Sequence, residues 1–214
     1  KFIYAASASC YGANPKYPTD EKNIIKTEYP YALSKNLGEQ LVLHWEKVYK
    51  LNVTSFRFFN VYGPRSRTTG AYGAVFGVFL AQKINEKPLT IVGDGRQTRD
   101  FIHVYDVVRA LVLSIKKGKS GHVYNLGSGV ETSVNLIAKI IGGKKIFVPK
   151  RPGEPQRSIA NIKKIKNHLK WKPKISIKYG ISMLMKNLDD WTNAPLWTPK
   201  KIKKATKLWF KYLK

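Results

Sequence analysis

Apolar runs of strand length alternate along this chain with stretches of helical period. KFIYAA, VTSFRFF, LTIV, HVYNLG and KIFV read as strands, and the apolar spacing between them predicts helices over 31–50, 74–85, 104–117 and 132–141, with mainly helical chain beyond. That alternation predicts an α/β fold with a mainly parallel sheet. Neither an internal repeat nor a low-complexity linker interrupts it.

Two helical stretches carry more than one pattern. In 31–50, Leu33, Leu37, Leu41, Trp45 and Val48 form an apolar stripe, while Tyr31, Lys35, Gly38 and Val42 fall on another face. The stripe suits either the core or a contact with a second copy, and the pattern leaves both open. The final stretch, TPKKIKKATKLWFKYLK, offers Thr198 as N-cap, Pro199 in the first turn, and Ile202, Ala205, Trp209 and Tyr212 on one face. A stripe of that period is expected to dock on a core.

Composition bounds the class. With 214 residues and 43% hydrophobic content, the chain is long enough for one large domain or two small ones with a packed core. No window reaches the roughly 18 apolar residues of a membrane span, so a soluble, cytoplasmic protein is expected. Cys10 is the single cysteine, which excludes an internal disulfide and leaves no metal site at ligand spacing. The chain starts at Lys1 and its only methionines are Met183 and Met185, which predicts that further sequence precedes KFIYAA.

The net charge is +26, and from Lys139 onward 21 Lys and Arg face 3 acidic residues. Such an excess invites a nucleic-acid reading. The lysines are spread through helical stretches with regular apolar spacing, however, and no nucleic-acid-binding module is recognisable. Solvated lysine faces are the expectation, with neither a nucleic-acid nor a membrane partner.

Candidate chemistry begins at YPYALSK. A tyrosine hydroxyl, with an ordinary pKa of about 10, needs help to act as a base near neutrality. The Lys35 ammonium one helical turn from Tyr31 favours the phenolate. Upstream, FIYAASASCYG supplies a strand end with small hydroxyl residues; downstream come FRFFNVYGP, GDGRQTRDFIHVYDVVRAL, VYNLGSG and PKRPGEPQRSIANIKKIKNHLKWKPK. In this order the segments resemble the extended short-chain dehydrogenase/reductase family, the nucleotide-sugar epimerases and dehydratases.

The resemblance implies a partial Rossmann-like, doubly wound parallel sheet plus a smaller mixed, mostly helical substrate-binding region. Residues 1–72 would be the C-terminal part of the NAD-binding domain, and 73–214 mainly the substrate region, with some segments returning to the sheet. No Gly-rich dinucleotide turn occurs in the chain, so most of the cofactor-binding half is expected upstream. Alone, the 214 residues are expected to leave a sheet edge uncovered.

By the same resemblance Ser7, Tyr31 and Lys35 are catalytic, with Tyr31 the acid/base. Tyr31, Lys35 and Phe59 face NAD. Ser7, Asn60, Ala74, Val75, Thr90, Val92, Arg99, Arg151, Glu154 and Ser158 face the nucleotide sugar. The arginines suit a diphosphate, because guanidinium forks offer paired donors and a permanent charge. Relatives that dehydrate a hexose carry Asp-Glu after the position of Ser7; this chain has Ala8 and Ser9, neither of them a useful proton donor. C4 epimerisation of UDP-glucose/UDP-galactose or of the N-acetylated pair is therefore favoured over a 4,6-dehydratase, with a uronate 4-epimerase as the nearest rival. Ser158 stands where a bulky aromatic restricts the pocket in related 4-epimerases, so room for an N-acetyl group is expected. A homodimer through the 31–50 helix and the one after TTGAYG is also implied.

Overall fold

The computed structural model describes residues 1–66, 68 and 75–212, without the side chain of Trp209. In chain order the elements are β1 (Phe2–Ser7), α1 (Pro30–Tyr49), β2 (Val53–Phe58), β3 (Asn60–Tyr62), α2 (Val75–Ile84), β4 (Leu89–Val92), β5 (Thr98–His103), α3 (Val104–Lys117), β6 (His122–Leu126), β7 (Glu131–Ser133), α4 (Val134–Ile141), β8 (Lys145–Val148), α5 (Lys163–Leu169), α6 (Ile177–Lys186), α7 (Pro199–Ala205) and α8 (Lys207–Tyr212), with 3-10 turns at Ala8–Tyr11 and Leu188–Trp191.

The main sheet has the order β1-β2-β6 and is parallel throughout, with Phe2 opposite Val53, Ser7 opposite Phe58, and Phe58 opposite Leu126. Every residue of β2 from Val53 to Arg57 is buried, as befits a central parallel strand covered on both faces. β3, β5 and β7 form a second, short sheet, and β4 pairs in parallel with β8. These short strands explain what the apolar pattern missed. β3 and β7 have three residues each, and β5 mixes Thr98, Arg99 and Asp100 with apolar positions, so none shows a clean alternation.

The chain divides into two compact units. The first comprises residues 1–61, 99–131 and 155–175; the second comprises 62–98, 132–154 and 176–214. Phe56, Phe59, Ile102, Val107, Ala110, Tyr124, Leu126, Ile165, Leu169 and Trp171 form the core of the first. α3 turns Val107, Ala110 and Ser114 inward at helical spacing, and the buried Asp106 carboxylate accepts the Lys174 and Ile175 N–H groups, at 3.0 and 2.9 Å, to dock the segment after Trp171. In the second unit α2 buries Phe76, Phe79, Leu80 and Ala81, and Trp191 is buried as well.

α1 starts with Pro30 in its first turn and ends at Lys50, whose left-handed backbone lets its N–H reach Glu46 O at 2.9 Å. Its buried residues are Ala32 and Glu39, whereas Leu33, Leu37, Leu41, Trp45 and Val48 are 45–59% exposed. The question left open by the pattern is answered against the core. Small residues, Ala32 and Gly38, let α1 lie close to the sheet, and that rotation turns the leucine stripe outward.

The final stretch also departs from expectation. Thr198 does cap α7, accepting from Lys201 N, but the helix is interrupted at Thr206, whose buried hydroxyl bonds back to Ile202 O at 2.9 Å. Ala205 and Tyr212 are exposed, so the stripe does not dock as a unit.

Candidate active site

Ser7 is the last residue of β1 and the N-cap of the turn Ala8–Tyr11, its Oγ accepting from Ser9 N at 3.2 Å. A hydroxyl is thereby held at the C-terminal edge of a parallel sheet, the edge at which α/β folds bind ligands. Ala8 and Ser9 follow within that turn, half-buried. Cys10 is buried beside them with its thiol pushed up to about 11 by burial, which leaves it without thiolate character.

Tyr31 stands in the first turn of α1 and is 54% exposed. One turn on, Lys35 Nζ donates to Ala5 O at 2.9 Å and lies 5.8 Å from the centre of the Tyr4 ring. The Tyr4 hydroxyl in turn donates to Lys35 O at 3.3 Å. Lys35 therefore reaches from α1 to β1 two residues short of Ser7, and the helix carrying Tyr31 is held against the strand carrying the serine. An ammonium has three donors, so the bond to Ala5 leaves capacity for a ligand. Burial and the neighbouring Glu39 and Tyr31 push the Tyr4 phenol up, so Tyr4 stays protonated and acts as a donor.

Phe59 is buried in the core of the first unit, its N–H bonded to Leu126 O at 3.0 Å. Asn60 is half-buried in β3, with Nδ2 3.4 Å from Asp100 O. Arg99, half-buried in β5, is close enough to Tyr17 to favour its phenolate, although burial is the larger effect there and pushes that phenol up. Ser158 is half-buried two residues before Ala160, whose N–H donates to Asp100 Oδ2 at 3.0 Å. These residues, with Ser7, Tyr31 and Lys35, belong to the first unit.

The second unit carries the others. Val75 opens α2, and Val92 ends β4 with its carbonyl accepting from Gln97 Nε2 at 2.8 Å. Thr90 is buried with both polar groups engaged by Gln82, its N–H at 3.0 Å and its hydroxyl at 2.8 Å. Arg151 and Glu154 are half-buried in the segment after β8. Ala74 lies outside the described residues.

Two groups of polar residues escaped the sequence reading. Asp100 is fully buried; its Oδ1 accepts from Ser128 N and Oγ, both at 2.6 Å, and its Oδ2 from Gly129 N and Ala160 N, at 2.9 and 3.0 Å. One carboxylate thus joins the strand of Arg99 to the NLGSG turn and to the segment of Ser158. Burial pushes its carboxyl up, against the pull of those four donors. The second group surrounds Arg57, a charged residue inside the apolar run VTSFRFF. An arginine at the centre of a buried strand was the available signal, because such a charge must find a partner.

The model of the NAD dependent epimerase/dehydratase family matches residues 1–127, more than half of the chain. The chain belongs to that family. The putative UDP-glucose 4-epimerase of Methanocaldococcus jannaschii is 36% identical over 86% of this chain and 62% of its own length. Among solved structures, UDP-glucose 4-epimerase of Thermotoga maritima bound to UDP-glucose superimposes with a TM-score of 0.81 at 32% identity, covering 88% of this chain and 63% of that one. UDP-glucuronic acid 4-epimerase of Bacillus cereus, in complex with UDP-glucuronic acid and NAD, gives 0.80 at 31% identity, covering 88% and 61%. Relatives named as dehydratases match as well. The chain therefore spans a little over three-fifths of the length of these relatives. Its parallel α/β sheet is the Rossmann-like one of NAD-dependent epimerases, and no described helix is long and apolar enough to cross a membrane.

Proposed function

We propose that this chain carries the proton-transfer and sugar-binding part of an NAD-dependent nucleotide-sugar 4-epimerase. The observation that carries the reading is the bond from Lys35 Nζ to Ala5 O, which holds the Tyr31 helix against the strand ending in Ser7. Tyr31 takes the proton from the sugar O4, Ser7 hydrogen-bonds the same oxygen, and the Lys35 ammonium holds the nicotinamide ribose. These residues fit the nicotinamide end of NAD, which when bound supplies the acceptor for the C4 hydride and returns it. The 4-keto sugar turns over between the two transfers, so the reaction has no net redox change.

By the family resemblance we assign Arg99 and Arg151 to the diphosphate, Glu154 to the nucleoside hydroxyls, Asn60 to the sugar, and Val75, Thr90 and Val92 to the nucleoside. Ala8 and Ser9 argue against dehydration, since neither places an acid beside the ring. The likeness to the Bacillus cereus enzyme keeps a uronate 4-epimerase as the second reading. Ser158, half-buried and small, supports room for an N-acetyl group. The exposed α1 stripe supports a homodimer, which Leu37→Lys would dissociate in a sedimentation experiment. A cytoplasmic enzyme fits this chemistry.

The test is turnover by the full-length gene product of UDP-glucose, UDP-N-acetylglucosamine and UDP-glucuronic acid. We expect C4 inversion of the first two and a loss of about 10²- to 10⁴-fold in kcat for Tyr31→Phe. Inversion of the uronate alone would replace this reading by its rival, and undiminished kcat in Tyr31→Phe would remove Tyr31 from the chemistry.

A further inference from the structure

Arg57 and Glu39 form an ion pair whose side chains are 8% and 4% exposed. Arg57 Nη2 meets Glu39 Oε1 at 2.5 Å, and Nε lies 3.1 and 3.2 Å from the two carboxylate oxygens. Ser55 Oγ donates to Glu39 Oε2 at 2.8 Å. On its other side Arg57 Nη1 donates to the Tyr11 hydroxyl at 2.8 Å and to Glu21 O at 3.3 Å. The Tyr11 hydroxyl in turn donates to Asn125 Oδ1 at 2.7 Å, and Asn125 Nδ2 donates to Thr19 O at 2.9 Å.

The position of these residues in the chain gives the network its meaning. Glu39 is one helical turn beyond Lys35 on α1. Tyr11 closes the 3-10 turn that Ser7 caps. Arg57 stands in the middle strand, in register with Ala6, the neighbour of Ser7, and with Asn125 on β6. A single guanidinium therefore holds the helix of Tyr31 and Lys35 with one edge and the turn of Ser7 with another. Burial works against its charge, but Glu39 and Tyr11 more than offset that, so the fork stays protonated with fixed donor directions.

Stability alone is a poor account of such a pair. Removing two charges from water costs several kcal/mol per ion, and apolar residues of similar volume usually serve a core equally well or better. What a planar fork adds is direction, at two acceptors set apart by its own geometry. Proton transfer is sensitive to that: about 1 Å of displacement can cost on the order of 10²-fold in rate.

We propose that Arg57, Glu39 and Tyr11 are positioning residues that lock the Ser7 turn and the Tyr31–Lys35 helix into one catalytic register. The proposal rests on the 4-epimerase reading above for its kinetic arm. It is tested in the full-length gene product with Tyr11→Phe, which deletes only the bridging hydroxyl, and with the double variant Arg57→Met/Glu39→Leu, which replaces the pair by apolar side chains. Melting temperature, kcat, KM for the UDP-sugar, and amide hydrogen exchange of residues 7–11 and 31–39 are measured.

We expect both variants to fold, with KM within about twofold and kcat lowered roughly 10- to 100-fold. We also expect exchange to rise in both segments together. A folded double variant with wild-type kcat overturns the proposal, as does exchange that rises in only one segment; if the double variant does not fold, Tyr11→Phe decides by the same two readouts. A wild type that inverts no nucleotide sugar sinks the 4-epimerase reading alone, and the exchange arm then still decides the coupling.

Discussion

Gly38 lies one turn after Lys35, and a methyl group added there would sit 2.1 Å from the Tyr4 hydroxyl and 2.8 Å from its Cζ. Two effects compete at this position. Alanine in the interior of a helix is worth about 1 kcal/mol over glycine. Overpacking a tight contact costs about 1–3 kcal/mol. The Tyr4 ring cannot swing away freely, because its hydroxyl is bonded to Lys35 O. Gly38→Ala is therefore expected to destabilise by up to about 2 kcal/mol in chemical denaturation. Tyr4→Ala in the same background should recover the loss attributable to the clash, and a Gly38→Ala protein more stable than wild type would show that Tyr4 yields at no cost. The glycine was visible in the sequence on the same face as Tyr31 and Lys35. Its reason was not, since Tyr4 is distant in sequence and only the packing of α1 on β1 brings them together.

At the scale of elements, β6 and α5 meet through two histidines. The rings of His122 and His168 are 5.4 Å apart, and the Tyr124 hydroxyl lies 3.0 Å from His168 Nδ1. Burial, reinforced by the cations of Lys164 and Lys119, holds both imidazoles below their ordinary value. The folded protein then binds fewer protons than the unfolded chain once the pH falls below the ordinary imidazole pKa of about 6.5. Stability from this contact is full above that pH and is lost on acidification. We expect the melting temperature to fall between pH 7 and pH 5, with a shallower fall in His122→Asn/His168→Gln. His103, also held low mainly by burial, keeps part of the slope in that variant. An unchanged slope would remove β6 and α5 from the acid sensitivity. The long elements that frame this contact were legible from apolar period, because each buries a stripe or a continuous run. Strands of three residues were not, because register against a partner, rather than their own alternation, creates them. The same distinction holds for the candidate site: Ser7, Tyr31 and Lys35 could be proposed from the order of several short segments, whereas the bonds of Asp100 and Arg57 join groups 18 to 60 residues apart and leave no local pattern.

For the whole molecule, the main sheet sets the last expectation. Among the described residues it has three strands, and β1 has a neighbour only on the β2 side. Phe2 N–H points to β2, bonding Asn52 O at 2.7 Å, and the alternation of a parallel strand then turns the polar groups of Ile3, Ala5 and Ser7 the other way. Lys35 meets one of them, at Ala5 O. No Gly-rich pyrophosphate cradle occurs in these 214 residues, so the only residues proposed above for NAD are those assigned to its nicotinamide end. The arginines assigned to the diphosphate are, by contrast, all present. These two facts predict different outcomes for the two ligands when the 214-residue polypeptide is expressed by itself. UDP should stabilise it, by about 2.7 kcal/mol at a hundred times its dissociation constant, whereas NAD at millimolar concentration should leave the melting temperature unchanged. No C4 inversion is expected under the same conditions. The net charge of +26 makes any polyphosphate a weak nonspecific ligand, so the comparison needs tripolyphosphate as a control and about 0.15 M salt to screen the surface lysines. A shift with UDP that tripolyphosphate reproduces would reduce Arg99 and Arg151 to members of a basic surface, and a shift specific to UDP would support their assignment to a nucleotide diphosphate.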